Sequence, residues 1–235
     1  MISKSAMLVL VKGFRASDVD KALSENPKLK DFRDERGRNW LHICCGRKPG
    51  KGRERHSVRT AEVLLRHGFD INGHAFKEGQ WKATPLWFAV GRGENLALTK
   101  FLLERGANPN YSLWAASFHD NVAALRLLVR HGADLEDPSV PYESPLLGAV
   151  KWSHFIAAEE LLKLGANPNS QDKAGMTALH LMLKKNSDKK HIAMLVRHGA
   201  RGDIKNKAGV TAIDILRRKR DAELKKFAEK LAHPA

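Results

Sequence analysis

Cysteine is almost absent from this chain: its 235 residues include only Cys44 and Cys45. Sequence neighbours do not make an unstrained disulfide, so no cross-linked framework exists. The pair reads as two small hydrophobes packed between helices, in a reducing compartment. Long apolar runs are absent as well. None approaches the roughly 20 residues that a membrane-spanning helix needs. The short stretch from Ala6 to Val11 is followed by Lys12-Gly13-Phe14-Arg15, not by the small residues of a leader cleavage site. The expectation is a cytoplasmic protein, or one exported without a cleaved leader, with no membrane contact. Acidic residues are in deficit: 26 Asp and Glu face 41 Lys and Arg, a net charge of +15 with a pI near 10.0.

Catalytic signatures are also missing. The chain has no G-x-S-x-G elbow, no H-E-x-x-H and no kinase signature. Gly46-Arg47-Lys48-Pro49-Gly50-Lys51-Gly52 has three residues between its first two glycines where a phosphate loop has four, and Gly52 where Ser or Thr would hold magnesium. No catalytic residue, cofactor or metal site is expected. Three of the eleven histidines, His67, His131 and His198, stand just before a glycine that ends a helix. There an imidazole can cap terminal carbonyls and complement the helix dipole, which is a structural role.

What the chain does contain is a repeat. Arg66-His67-Gly68-Phe69-Asp70, Arg105-Gly106-Ala107-Asn108-Pro109-Asn110, Arg130-His131-Gly132-Ala133-Asp134, Lys163-Leu164-Gly165-Ala166-Asn167-Pro168-Asn169 and Arg197-His198-Gly199-Ala200-Arg201 share one form. Their glycines lie 38, 26, 33 and 34 residues apart. Each follows an amphipathic run such as Leu125-Arg126-Leu127-Leu128-Val129, so each ends a helix at a glycine cap. Upstream come Asn39-Trp40-Leu41-His42, Thr84-Pro85-Leu86-Trp87, Ser144-Pro145-Leu146-Leu147 and Thr177-Ala178-Leu179-His180. In these a hydroxyl or Asn caps a helix start, and Pro or Ala takes the first turn in three of them. Ser17 with Asp20 three residues later reads as the capped start of an earlier helix, which Pro27 stops.

Helix, turn, helix and Gly-Ala-Asn-Pro-Asn near a period of 33 resembles the ankyrin repeat family, from about Phe32 to Ala232. The resemblance implies an all-α ankyrin repeat solenoid of helix-turn-helix units with short β-hairpin fingers. Residues 1–33 would form an N-terminal helical cap. Five repeats would follow at 34–75, 76–110, 111–136, 137–169 and 170–204, and 205–235 would be a degenerate capping repeat whose charged second helix keeps its outer face wet. It also implies that His42 and His180 hydrogen-bond locally around the turn.

Ankyrin stacks resemble a cupped hand, and the register assigns its surfaces. Arg36 and Arg38, then Gln80, Trp81 and Ala83, then Val140, Pro141 and Glu143, then Lys173, Ala174 and Met176 fall on the fingers. Arg47, Arg92, Phe118, His119, Lys151, Trp152, Lys184 and Lys185 line the concave palm. Trp81, Phe118 and Trp152 would then make one aromatic strip flanked by cations, a usual composition for interface anchors. Trp40, Trp87 and Trp114 sit inside the turn motif and read as packing residues.

The first repeat carries about eight extra residues by comparison with the later ones, a count made on the spacing of its motifs. They enlarge Gly46 to Ser57 into a mobile basic loop with Lys48, Lys51, Arg53 and Arg55, an arm for an acidic partner. Between repeats two and three the finger is mostly deleted, which would open a notch beside Phe118. The functional expectation is a non-catalytic, monomeric protein-interaction module that binds an acidic or amphipathic protein segment through this basic, aromatic face. The alternative is a nucleic-acid-associated protein that uses the same cations and stacking platforms.

Overall fold

The computed structural model describes residues 2–78, 81–137 and 143–232, with Lys77, Glu78 and Trp81 described through their backbone. Gln80, Val140 and Pro141, expected on the fingers, lie outside the described residues, as does the side chain of Trp81. The chain forms two compact units. One runs to Ala115 and includes Arg130–Ala133, and the other holds Ala116–Val129 and continues from Asp134.

The first unit contains α1 (Lys4–Lys12), α2 (Ala16–Glu25), α3 (Trp40–Cys45), α4 (Glu54–Arg66), the hairpin β1 (Lys77–Glu78) and β2 (Trp81–Lys82), α5 (Pro85–Gly91) and α6 (Leu96–Glu104). The strands pair antiparallel with Glu78 opposite Trp81. Within this unit α1, α3 and α5 pack in one layer and α2, α4 and α6 in another. The chain passes into the second unit within α7 (Leu113–Phe118). That unit holds α8 (Val122–Arg130) apart from its last residue, α9 (Pro145–Lys151), α10 (Phe155–Lys163), α11 (Ala178–Lys184), α12 (Lys189–Arg197), α13 (Ala212–Arg218) and α14 (Ala222–Ala232). The same layering recurs, with α9, α11 and α13 side by side and α10 against α12.

Burial follows the layers. All six residues of α3 are buried, because an inner helix is covered on several sides. In α4 the buried residues are Ser57, Thr60, Ala61, Val63 and Leu64, one stripe at helical spacing. Helix starts are capped where the sequence places caps: Asn39, Thr84, Ser144, Thr177 and Thr211 each accept a backbone N–H three residues on. The helix-ending glycines at 68, 106, 132, 165 and 199 take φ between +83° and +101°, the left-handed region that a Cβ disfavours.

Two expectations are corrected. Ser17 does not cap α2. The helix begins at Ala16, and Arg15 stands at the cap without a side-chain bond. The reason is the short connection from α1: Phe14 turns the backbone at φ +55°, and the Phe14 and Arg15 amides bond back to Val11 and Leu10. Nor do His67, His131 and His198 cap carbonyls. The glycine turn already satisfies them through backbone amides, with Gly68 N to Leu65 O at 2.9 Å and Phe69 N to Leu64 O at 3.3 Å. His67 instead reaches α2, with Nε2 2.7 Å from Asp20 Oδ1, and His131 is exposed.

His42 and His180 join neighbouring turns. His42 Nε2 donates to Gly73 O at 2.9 Å, while its Nδ1 accepts from the Asn39 amide at 3.3 Å. His180 repeats the arrangement, with Nε2 3.1 Å from Val210 O and Nδ1 accepting from the Thr177 amide at 3.3 Å. Donating from Nε2 needs a proton there, and His42 Nδ1 also lies 2.7 Å from Asn39 Oδ1. Burial, which the nearby charges of Arg33 and Arg38 reinforce and the Gly73 bond opposes, pushes His42 down to about 4. Other buried groups follow their surroundings. Trp40 is fully buried, stacks on Phe32 at 3.9 Å and donates to Leu29 O at 2.8 Å. Cys44 and Cys45 are buried free thiols, and burial pushes Cys44 up to about 12. Glu160 of α10 is buried and takes Arg126 of α8 bidentately at 2.6 and 3.0 Å.

The His42 bridge predicts a pH dependence. Between about 4 and 6.5 the unfolded chain binds a proton that the folded chain excludes, so stability is full above 6.5 and is lost as pH falls through 4. This one group should account for about 3 kcal/mol of that loss. Urea unfolding at pH 7 and pH 4 should show a smaller difference for His42→Ala than for the native chain; equal differences would remove His42 as the cause.

Candidate functional site

The ends of α7 and α9 bring together the aromatic part of the expected surface within the second unit. Phe118, half-buried, closes α7, and Trp152 follows α9 with 53% of its surface exposed. The rings meet edge to face, with centroids 5.9 Å apart at 76°. Phe118 also meets His154 at 5.1 Å and His119 at 5.5 Å. Ser153 takes φ +65°, which turns the chain sharply between Trp152 and α10. Ile156, at 66% exposure, is a further apolar side chain at the start of α10. The register did not single out His154 or Ile156. Their signal was their position just after Trp152, in the turn that leads into α10.

The surrounding lysines divide into three kinds. Lys185 donates to Lys151 O and Ser153 Oγ, both at 2.7 Å, which links the end of α11 to the end of α9. Lys219 repeats this one helix pair later, donating to Leu183 O at 3.3 Å and to Asn186 Oδ1. Lys151 pairs with Glu143 at 2.6 Å. Lys184 is exposed, with no acidic partner among the described residues. Of the finger residues in this unit, Lys173 is exposed, while Met176 is half-buried with its Sδ facing Asn206 Nδ2 at 3.4 Å.

In the first unit Arg36, Arg47 and Arg92 are exposed, and none meets a carboxylate among the described residues. Arg38 is committed to its own turn, forking onto Asp34 with Nε and NH2 both at 2.7 Å from Oδ2. The turn itself is built by Asp34 Oδ1, which accepts the amides of Arg36 at 3.0 Å and Arg38 at 2.9 Å. Asp172 and Asn206 build the same turn in the second unit.

The basic loop is shorter and more tied down than the sequence implies. α4 begins at Glu54, so Arg55, His56 and Ser57 are helical, and α4 has 13 residues where α6, α10 and α12 have 9. Lys48 pairs with Glu94 at 2.6 Å, and Arg53 NH2 donates to Gly13 O at 2.8 Å. Lys51 and Arg55 are exposed without such ties among the described residues. Within the described residues, no group of three or more His, Cys, Asp or Glu is placed to hold a metal ion, and no helix is long and apolar enough to cross a membrane.

Residues 86–172 match the family model for ankyrin repeats (3 copies). The whole chain also superposes on the human ASB11 ankyrin repeat domain with a TM-score of 0.72 and 19% identity, covering 100% of both. Residues 86–172 are ankyrin repeats, and the chain has the ankyrin repeat fold. The ankyrin repeat domain of Bcl-3 gives a TM-score of 0.74 at 19% identity over 95% of this chain and 97% of that one. Among curated relatives, the rat Arf-GAP with coiled-coil, ANK repeat and PH domain-containing protein 2 is 32% identical over 90 residues, 37% of this chain and 12% of that protein. An ankyrin repeat protein of Rickettsia bellii (strain RML369-C) is 30% identical over 151 residues, 60% of this chain and 57% of its own length. The phosphocholine transferase AnkX of Legionella pneumophila is 26% identical over 140 residues, 55% of this chain and 14% of AnkX. The matched region therefore spans less than two thirds of each relative.

In this chain the two tryptophans with the most different surroundings should behave oppositely. Trp152→Ala should lower stability by about 1 kcal/mol or less, as a surface change does. Trp40→Ala should lower it by about 3–5 kcal/mol, as emptying a packed site does. Urea denaturation of the two variants measures both, and a Trp152 variant as unstable as the Trp40 variant would make Trp152 a core residue.

Proposed function

We propose that this protein is a non-catalytic interaction module that holds an acidic or amphipathic protein segment against Trp152 and Phe118, with Lys184 and its neighbours supplying positive charge. Ankyrin repeat domains are generally protein-interaction modules, and the finer reading rests on one observation: Trp152 stands 53% exposed and edge-on to Phe118 in a lysine-rich surround. An exposed indole supported by a second ring offers a large apolar contact that loses little side-chain freedom on binding. The net charge of +15 draws acidic partners toward the chain before any contact forms. Arg36, Arg47 and Arg92 of the first unit add to that field. The lysines that bond to backbone carbonyls are already fixed, so a partner does not have to order them.

The direct test is affinity capture from the source organism's lysate with the native chain and with Trp152→Ala and Phe118→Ala, with and without nuclease. A protein held by the native chain should survive nuclease and bind Trp152→Ala more weakly by about 2 kcal/mol, roughly thirtyfold. Melting curves should match. If nuclease releases everything, the surface is a nucleic-acid platform. If both variants capture the same protein equally well, the aromatic pair is not the contact.

A further inference from the structure

We propose that the first unit carries a second binding site, for a phosphate dianion, in a cavity of about 490 Å³ lined by Arg15, Ser17, Asp18, Arg53, His56 and Arg59. The volume falls within the range of small-ligand pockets. Three guanidinium groups and an imidazole face this space against a single carboxylate, and that carboxylate is already engaged: Asp18 pairs with Arg15 at 2.9 Å. Arg53 spends one nitrogen on Gly13 O at 2.8 Å and keeps its other donors. Arg59 and His56 are exposed, and their side chains meet no acceptor among the described residues.

Two of these arginines take positions that usually go to capping side chains, although Arg15 already has Asp18 and Arg53 already has Gly13 O as a partner. Arg15 stands immediately before α2 and Arg53 immediately before α4, and neither caps its helix. A cation there opposes the helix dipole and occupies a place where Ser, Thr, Asp or Asn would bond to the backbone. α2 and α4 pack against each other, so the two misfits are neighbours. A bound dianion removes the repulsion among the arginines and uses their planar forks, which match the spacing of phosphate oxygens. The Ser17 hydroxyl adds a neutral donor.

The lining also says what the ligand lacks. The lining has no Trp or Tyr, and its one Phe, Phe14, is 5% exposed, so the small imidazole of His56 is the one ring on which a base could stack. The site therefore fits inorganic phosphate or a phosphomonoester better than a nucleotide. It lies in a different unit from Phe118 and Trp152, so it stands or falls independently of the interaction surface proposed above.

The test is a titration of the full isotope-labelled chain at pH 7.5 with inorganic phosphate and, separately, with O-phosphoserine, followed by amide NMR. Saturable shifts confined to residues 14–18 and 53–59 are expected. Arg59→Ser should weaken binding about tenfold or more, and Arg59→Lys should fall between it and the native chain. Lys225→Ser with Lys226→Ser, which removes twice the charge from α14, should leave the affinity unchanged. Tighter binding of phosphoserine would make the ligand a phosphorylated side chain, and tighter binding of phosphate a free ion. Shifts scattered over the surface, equal weakening by the α14 control, or no shift with either probe would overturn the proposal.

Discussion

One hydrogen-bonding group, a buried neutral imidazole, makes the successive turns of each unit interdependent. A helix pair of this size cannot bury its apolar face alone, so it needs its neighbour in register. His42 and His180 supply that register by closing their own helix start with one nitrogen and holding a carbonyl about thirty residues on with the other, Gly73 and Val210 respectively. Because both rings are buried, these bonds are shielded from competing water. The inner helices can then be largely apolar, as α3 and α11 are, since their polar starts are settled by the turn itself. Surface residues that follow the inner helices, Trp152 among them, inherit fixed positions from this arrangement.

The parts of this fold that were legible in the sequence are the local ones. A cap needs a particular side chain at a particular offset, and a left-handed helix end needs glycine, so Thr84, Ser144, Thr177 and the five glycines announce themselves. Long-range choices leave no such mark. His67 stands where a capping histidine belongs, yet the glycine turn after it leaves no carbonyl for it, and Asp20 of α2 takes its ring instead. Ser17 has the right residue type for a cap, but the connection from α1 starts the helix two residues earlier than that cap would.

The same limit applies to the candidate surfaces. Composition shows that Gly46 to Ser57 is basic and rich in Gly and Pro, and that reads as a mobile arm. It does not show that Glu94 lies within reach of Lys48, or Gly13 O within reach of Arg53. Nor does it show that the last four residues of that stretch wind into α4. Arg38 and Arg36 look alike in the register, and only geometry separates the one that forks onto Asp34 from the one that faces water.

The acceptors chosen by the positive residues explain how the chain stays strongly basic while being well tied together. An ion pair with a carboxylate fixes a lysine but cancels its charge, as Lys151 with Glu143 does. Lys185, Lys219 and Arg53 instead donate to backbone carbonyls, those of Lys151, Leu183 and Gly13. These carbonyls lie at or near helix ends, where carbonyls lack partners within the helix and the dipole is negative. Each bond therefore ties one element to another while the full positive charge remains, and two of them, to Lys151 O and Gly13 O, reach carbonyls that accept no backbone amide among the described residues, whereas Leu183 O also takes the Asn186 amide at 3.3 Å. Stability and a basic surface thus come from the same side chains. Replacing them by neutral residues to reduce the charge would loosen the links between helix ends, whereas Lys184, Arg47 and Arg92 are free to serve binding alone.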